Sequence, residues 1–179
     1  MKQILYDNNE NISEEIEELV VKIKKIPIFS FKTRLDNLRI LTCSFINLKY
    51  LPDILPNSLE EIYAGNNIIE DLPKIFPKNL RILHLNDNKI KIVYSFPENL
   101  IFVNLSRNLL EELPKFPRLI EYVIISSNKI KQIQEIVPET LKSFTINGNP
   151  IKKCPERLSN GAKLRLVGCY PKKLGGYYL

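Results

Sequence analysis

Asparagines at positions 67, 88, 108, 128 and 149 lie 21, 20, 20 and 21 residues apart, and around each the same apolar frame returns: L-x-x-L-x-L-x-x-N-x-L-x-x-L. One copy is Leu59, Ile62, Ala64, Asn67, Ile69, Leu72, and the next is Leu80, Leu83, Leu85, Asn88, Ile90, Val93. Leu100 to Leu113, Ile120 to Ile133 and Leu141 to Cys154 follow in register. A unit this short cannot bury its own apolar side chains, so copies must stack and share one continuous core. Before the five clear copies stands a unit with Ile46 at the asparagine position (Leu38, Leu41, Cys43, Leu48, Leu51). After them Leu164, Leu166 and Cys169 form a degenerate one, as terminal repeats often are.

The frame resembles the leucine-rich repeat consensus over residues 38 to about 169. The short units, with Leu51-Pro52, Leu72-Pro73 and Leu113-Pro114 each followed by a second proline, resemble those of secreted bacterial effectors. The excess of Ile, Lys and Asn is also similar to that of repeat proteins from giant DNA viruses of amoebae. The resemblance implies an α/β repeat solenoid, a leucine-rich repeat horseshoe with a parallel β-sheet on its concave face.

The residue chemistry fits that expectation. The x-L-x-L-x segment alternates, so it reads as a short strand with its leucines inward. The chain must then turn sharply and leave buried backbone groups that no strand ladder can satisfy. An asparagine offers two donors and an acceptor on a short arm. Asn67, Asn88, Asn108, Asn128 and Asn149 are therefore expected to be a structural ladder rather than ligand contacts. Pro56, Pro77, Pro97, Pro117 and Pro138 precede each unit's first apolar residue and forbid a regular helix there. The convex side should be extended or 3₁₀.

Three regions are expected. Residues 1–37 would be an N-terminal capping helix and linker, 38–155 six repeat units, and 156–179 a degenerate seventh repeat with a basic cap. The helix is placed over residues 11–25, "NISEEIEELVVKIKK": Asn11 and Glu14 form a capping box, acids fill the first turns, lysines fill the last, and Ile12, Ile16, Leu19, Val20 and Ile23 make one apolar face. It would cover the edge of the first repeat or dock a partner.

Composition narrows the function. No run approaches the roughly 20 apolar residues of a membrane helix, and the opening segment has no signal-peptide core. Three cysteines without a CxxC pair and a single histidine argue against disulfide framing and zinc, and for a reducing, cytoplasmic setting. Cys154 and Cys169 sit at repeat positions, where small core residues are expected rather than a disulfide. His84 aligns with outward-facing Tyr63 and Asn104 and has no nucleophile placed beside it in sequence, and no glycine-rich phosphate loop is present. The "CPE" at 154–156 lies inside a repeat, so the ubiquitin-ligase cysteine of some effectors is not carried over. The chain reads as a monomeric non-enzyme without metal or cofactor.

Binding is then expected on the outward strand positions. One column is Ile40, Glu61, Ile82, Phe102, Tyr122 and Ser143; the next is Thr42, Tyr63, His84, Asn104, Ile124 and Thr145. Tyr63, Ile82, His84, Phe102, Asn104, Tyr122 and Ile124 form the candidate site for a partner protein, with Asp87 and Arg107 as its rim. The competing explanation is strand propensity, which also favours exposed Ile, Tyr and Phe. A second candidate is the basic end. Net charge is +6, and the last 30 residues carry seven basic side chains against Glu156 alone. Lys152, Lys153, Arg157, Lys163 and Arg165 could meet nucleic acid or an acidic surface. A solvated cap is the favoured reading of them and nucleic acid is not the expected partner; a purely structural repeat protein with no dedicated partner is the remaining alternative.

Overall fold

The computed structural model describes residues 1–6, 11–23, 35–133 and 138–152, and the backbone of 163–165. Each repeat contributes one short strand, because only the alternating segment has a buried residue flanked by two outward ones. The strands are β1 (Lys2–Leu5), β2 (Glu18–Val21), β3 (Ile40–Thr42), β4 (Glu61–Tyr63), β5 (Ile82–His84), β6 (Phe102–Asn104), β7 (Tyr122–Ile124), β8 (Ser143–Thr145) and β9 (Lys163–Arg165). They form one nine-stranded sheet in chain order, every neighbour parallel. Register is strict: Leu41, Ile62, Leu83, Val103, Val123 and Phe144 are mutual partners and all are buried. A one-residue slip would turn this whole set to solvent, so burial itself fixes the register.

The expected helix over residues 11–25 is absent: Glu18–Val21 is strand β2, and no helix occurs among the described residues. Ile16, Leu19 and Val21 take the frame positions of Leu38, Leu41 and Cys43, with Leu19 opposite Leu41. The helical face and the repeat frame share Ile16, Leu19 and Ile23, which is why the segment reads as either. They disagree at one pair. The chain buries Val21 and leaves Val20 half-exposed, the opposite of the helical face. Two physical terms decide it. Adjacent β-branched valines favour a strand, and a strand, unlike a helix, supplies acceptors to the next repeat: the carbonyl of Glu17 receives the amides of Arg39 (2.8 Å) and Ile40 (2.9 Å). Residues 24 and 25 of the expected helix lie outside the described residues.

The return path is extended and punctuated by single turns. The carbonyls of Pro56, Pro77, Pro97, Pro117 and Pro138 accept from the amides of Leu59, Leu80, Leu100, Ile120 and Leu141 at 3.1–3.3 Å. Each proline thus opens a turn that closes on the first apolar residue of the next unit. The residue before it points inward: Leu55 and Phe76 are buried, while Phe96 and Phe116 pack partly buried on the core and stack at 6.1 Å. Phe116 meets Phe144 edge-on at 6.0 Å, tying this aromatic row to the core behind the sheet. Ser58 and Thr140 add cross-repeat ties, each hydroxyl donating at 2.7 Å to a carbonyl of the preceding unit (Leu38 and Ile120).

The asparagines lie in the core and bind the repeat before their own. Asn88 Oδ1 accepts the Ile69 amide (2.9 Å), and its Nδ2 donates to the carbonyls of Ala64 (3.0 Å) and Leu85 (3.1 Å). Asn108 repeats this with Ile90, Leu85 and Leu105, Asn128 with Leu110, Leu105 and Ile125, and Asn149 with Ile130, Ile125 and Ile146. Asn67 accepts from both Ile46 and Leu48, covering the unit that has no asparagine of its own. The turn that presents these side chains requires a left-handed residue just before them. Asn66, Asp87, Arg107, Ser127 and Gly148 have φ between 53° and 69°, and Phe45, before Ile46, has φ 61°.

Candidate functional site

With the leucines committed to the core, the alternate residues of every strand stand on the open face of the sheet. Their register makes two continuous columns. Ile40, Glu61, Ile82, Phe102, Tyr122 and Ser143 are successive partners in one; Thr42, Tyr63, His84, Asn104, Ile124 and Thr145 in the other. The sheet extends both columns past the expected site. Glu18 and Val20 continue them at one end, and at the other the backbone register pairs Ser143 with Lys163 and Thr145 with Arg165.

Neighbouring strands are about 4.8 Å apart, close enough for side chains in a column to touch. Tyr63 and His84 stack with ring centroids 4.9 Å apart and 21° between planes. His84 stacks in turn on Phe102 at 4.7 Å and 29°. The three rings run obliquely across β4, β5 and β6, with Ile82 partnering Phe102 and Ile124 partnering Asn104. All are half-buried, and Tyr122 is the most open at 40% exposure. Asn104 is turned to its own strand end, accepting from the Ser106 amide (3.0 Å) and hydroxyl (2.7 Å).

Electrostatics divide the site. Burial between two rings pushes the His84 pKa below its ordinary value, so the ring is neutral at pH 7. Its ring faces carry Tyr63 and Phe102, an arrangement that serves packing. Tyr63 donates its hydroxyl to Glu61 Oε2 (2.6 Å), and that bond, with burial, pushes the phenol up to about 12. Asp87 and Arg107 form a two-pronged ion pair at the edge, with Arg107 Nη2 3.1 Å from Asp87 Oδ2. Asn86 also donates to Asp87 (2.7 Å), and the Arg107 bond first of all holds the carboxylate below its usual range. Lys142 reaches Glu121 (2.7 Å) and lies 5.9 Å from the Tyr122 ring centre.

The structure therefore brings Tyr63, Ile82, His84, Phe102, Tyr122 and Ile124 onto adjacent strands and sets Asp87–Arg107 beside them. Of the basic residues, Lys152 is exposed, Lys153 and Arg157 lie outside the described residues, and Lys163 and Arg165 are register positions of β9. Cys154 and Cys169 also lie outside them. Cys43 is buried and free, and burial pushes its thiol up to about 12, so it is inert as a nucleophile. No helix of the described residues is long and apolar enough to cross a membrane. Sequence reasoning missed Glu61 as a partner of the ring stack. The signal was present, since Glu61 and Tyr63 are i and i+2 on one strand and share a face.

No protein-family model matches the chain, and no curated protein matches it. Solved structures do. The leucine-rich repeat domain of a Shigella effector superposes with TM-score 0.70 at 22% identity, over 86% of this chain and 69% of that one. YopM from Yersinia enterocolitica WA-314 gives 0.72 at 27%, over 90% and 37%. YopM from Yersinia pestis gives 0.74 at 23%, over 87% and 49%. The chain spans about a third to a half of the two YopM chains and about two thirds of the Shigella domain. The fold is thus a parallel-strand leucine-rich repeat solenoid resembling those of bacterial effector proteins.

Proposed function

We propose that the protein is a non-enzymatic interaction scaffold that binds a partner protein on the open, concave face of its sheet. The observation that carries this reading is the contiguous patch formed by the Tyr63–His84–Phe102 stack with Ile82, Tyr122 and Ile124. Aromatic side chains that are already ordered lose little entropy on contact and make good anchors. Propensity explains an isolated exposed Tyr or Ile, but a row of large apolar residues across four adjacent strands is the pattern of an interaction surface. The effector-like neighbours favour a protein partner inside a cell, and on this reading the protein acts as a monomer without a cofactor.

The test is affinity capture from cell lysate with wild type beside a Phe102→Asp/Tyr122→Asp double variant, both verified as folded by circular dichroism. A protein retained by wild type and lost from the variant supports the reading. Capture of the same proteins by both would contradict it and direct attention to the basic end, where binding to an acidic surface should fall steeply with salt.

A further inference from the structure

Charge around the open face is compensated carboxylate by carboxylate. Glu18 meets Lys2 (2.6 Å), Glu60 meets Arg39 (2.9 Å), Glu121 meets Lys142 (2.7 Å), Asp87 meets Arg107, and Glu17 lies 3.7 Å from the N-terminal ammonium. Glu61 breaks the pattern. It lies in the column of Ile82, Phe102 and Tyr122, yet among the described residues it makes no ion pair: Arg39, the cation that feels its charge, is bound by Glu60. Its bond is to the Tyr63 hydroxyl, which stays protonated and neutralises nothing. A partner covering the ring stack would take Glu61 out of water. The other carboxylates would enter such an interface with their own counter-charge, whereas Glu61 would enter as an unpaired anion, which is costly.

We propose that Glu61 and Tyr63 seat a lysine or arginine side chain of the partner, whose neighbouring apolar residue beds on Ile82, Phe102 and Tyr122. This rests on the open face being the binding surface, and it names the chemistry that surface selects. The second oxygen of Glu61 and the lone pairs of the Tyr63 hydroxyl are acceptors, and both side chains are only half-buried, within reach of an incoming donor. Geometry also sets a spacing. β4 and β6 are two strand steps, about 10 Å, apart, and an extended chain advances about 3.3 Å per residue. Extended side chains alternate faces, so the separation that both spans this gap and returns to the same face belongs to a polyproline-like segment, at about 3.1 Å per residue and about three residues per turn. Such a segment crossing the strands would place its basic residue about three positions from the residue on Phe102. A neutral apolar segment would leave Glu61 desolvated and unpaired, so the same carboxylate rejects non-basic partners.

The experiment is selection from a phage-displayed random peptide library on immobilised wild type, with Glu61→Gln and Phe102→Asp proteins, checked for folding by circular dichroism, as comparison targets. Glu61→Gln keeps an acceptor for Tyr63 and removes only the charge. The expected result is enrichment of peptides with Lys or Arg about three residues from an apolar or aromatic residue, and a representative synthetic peptide binding about tenfold more weakly to Glu61→Gln. Peptides that depend on Phe102 but lack a basic position, or bind Glu61→Gln equally, would overturn the cation seat and leave the binding face standing. Peptides indifferent to both substitutions would overturn the face as well.

Discussion

A residue in this fold is judged by which of three duties its repeat position gives it. Ladder asparagines aim their hydrogen bonds at backbone, so Asn108→Leu should strand the Ile90 amide and the carbonyls of Leu85 and Leu105. The expected loss is about 1–3 kcal/mol, read from urea unfolding of variant against wild type. The residue before each asparagine has a different duty, since it must adopt left-handed backbone. Phe45 does so as a bulky aromatic that is 75% exposed and has little packing to lose. Phe45→Asn should therefore stabilise the protein by about 1 kcal/mol in the same assay. His84 has the third duty, filling the outward stack, and burial lowers its pKa below the ordinary value. The unfolded chain then binds the proton more readily, so His84 lowers stability as pH falls from about 6.5 toward its folded value. Replacing it with Phe keeps the stack and removes the titration. The unfolding midpoint of His84→Phe should gain on wild type between pH 8 and pH 5, and parallel curves would refute the assignment.

Among the elements, β2 carries the sharpest lesson about what a sequence makes legible. The five strands preceding ladder asparagines announce themselves because apolar spacing, asparagine and proline all agree on one register. Residues 16–23 lack the asparagine and the proline, and what remains, Ile16, Leu19 and Ile23, fits a helix face as well as a repeat. The term that settles the matter is the unpaired edge of the neighbouring strand, and it becomes visible only once the sheet is assembled. Val21→Asp should unfold or severely destabilise the protein by placing an unpaired charge in the core, while Val20→Asp should cost under about 1 kcal/mol. A helix would give the reverse, so thermal melts of the two variants discriminate. The aromatic row Phe76, Phe96 and Phe116 was equally present in the sequence, each one residue before a proline. It takes meaning only when the proline turns point those side chains inward. The candidate site shows the same limit: period and alternation identify its columns, but ring stacking and the Glu61–Tyr63 bond depend on side-chain rotamers that no spacing encodes.

For the whole molecule, one continuous core runs through the described repeats, which leaves the outward residues to carry any contact with a partner. Its two ends differ: acids with matched cations gather near β2 and β4, and the sequence's basic excess follows β8. The ring stack lies between them, on the strands best supported from both sides. We propose that this middle of the open face, rather than the basic end, does the binding. The most direct test is calorimetric titration of a partner recovered by affinity capture with wild type, Phe102→Asp and Lys152→Glu. Phe102→Asp should lose about 2 kcal/mol or more, as an anchor residue does, and Lys152→Glu should change affinity by under about 0.5 kcal/mol. Undiminished affinity in Phe102→Asp, with binding lost in Lys152→Glu, would contradict it.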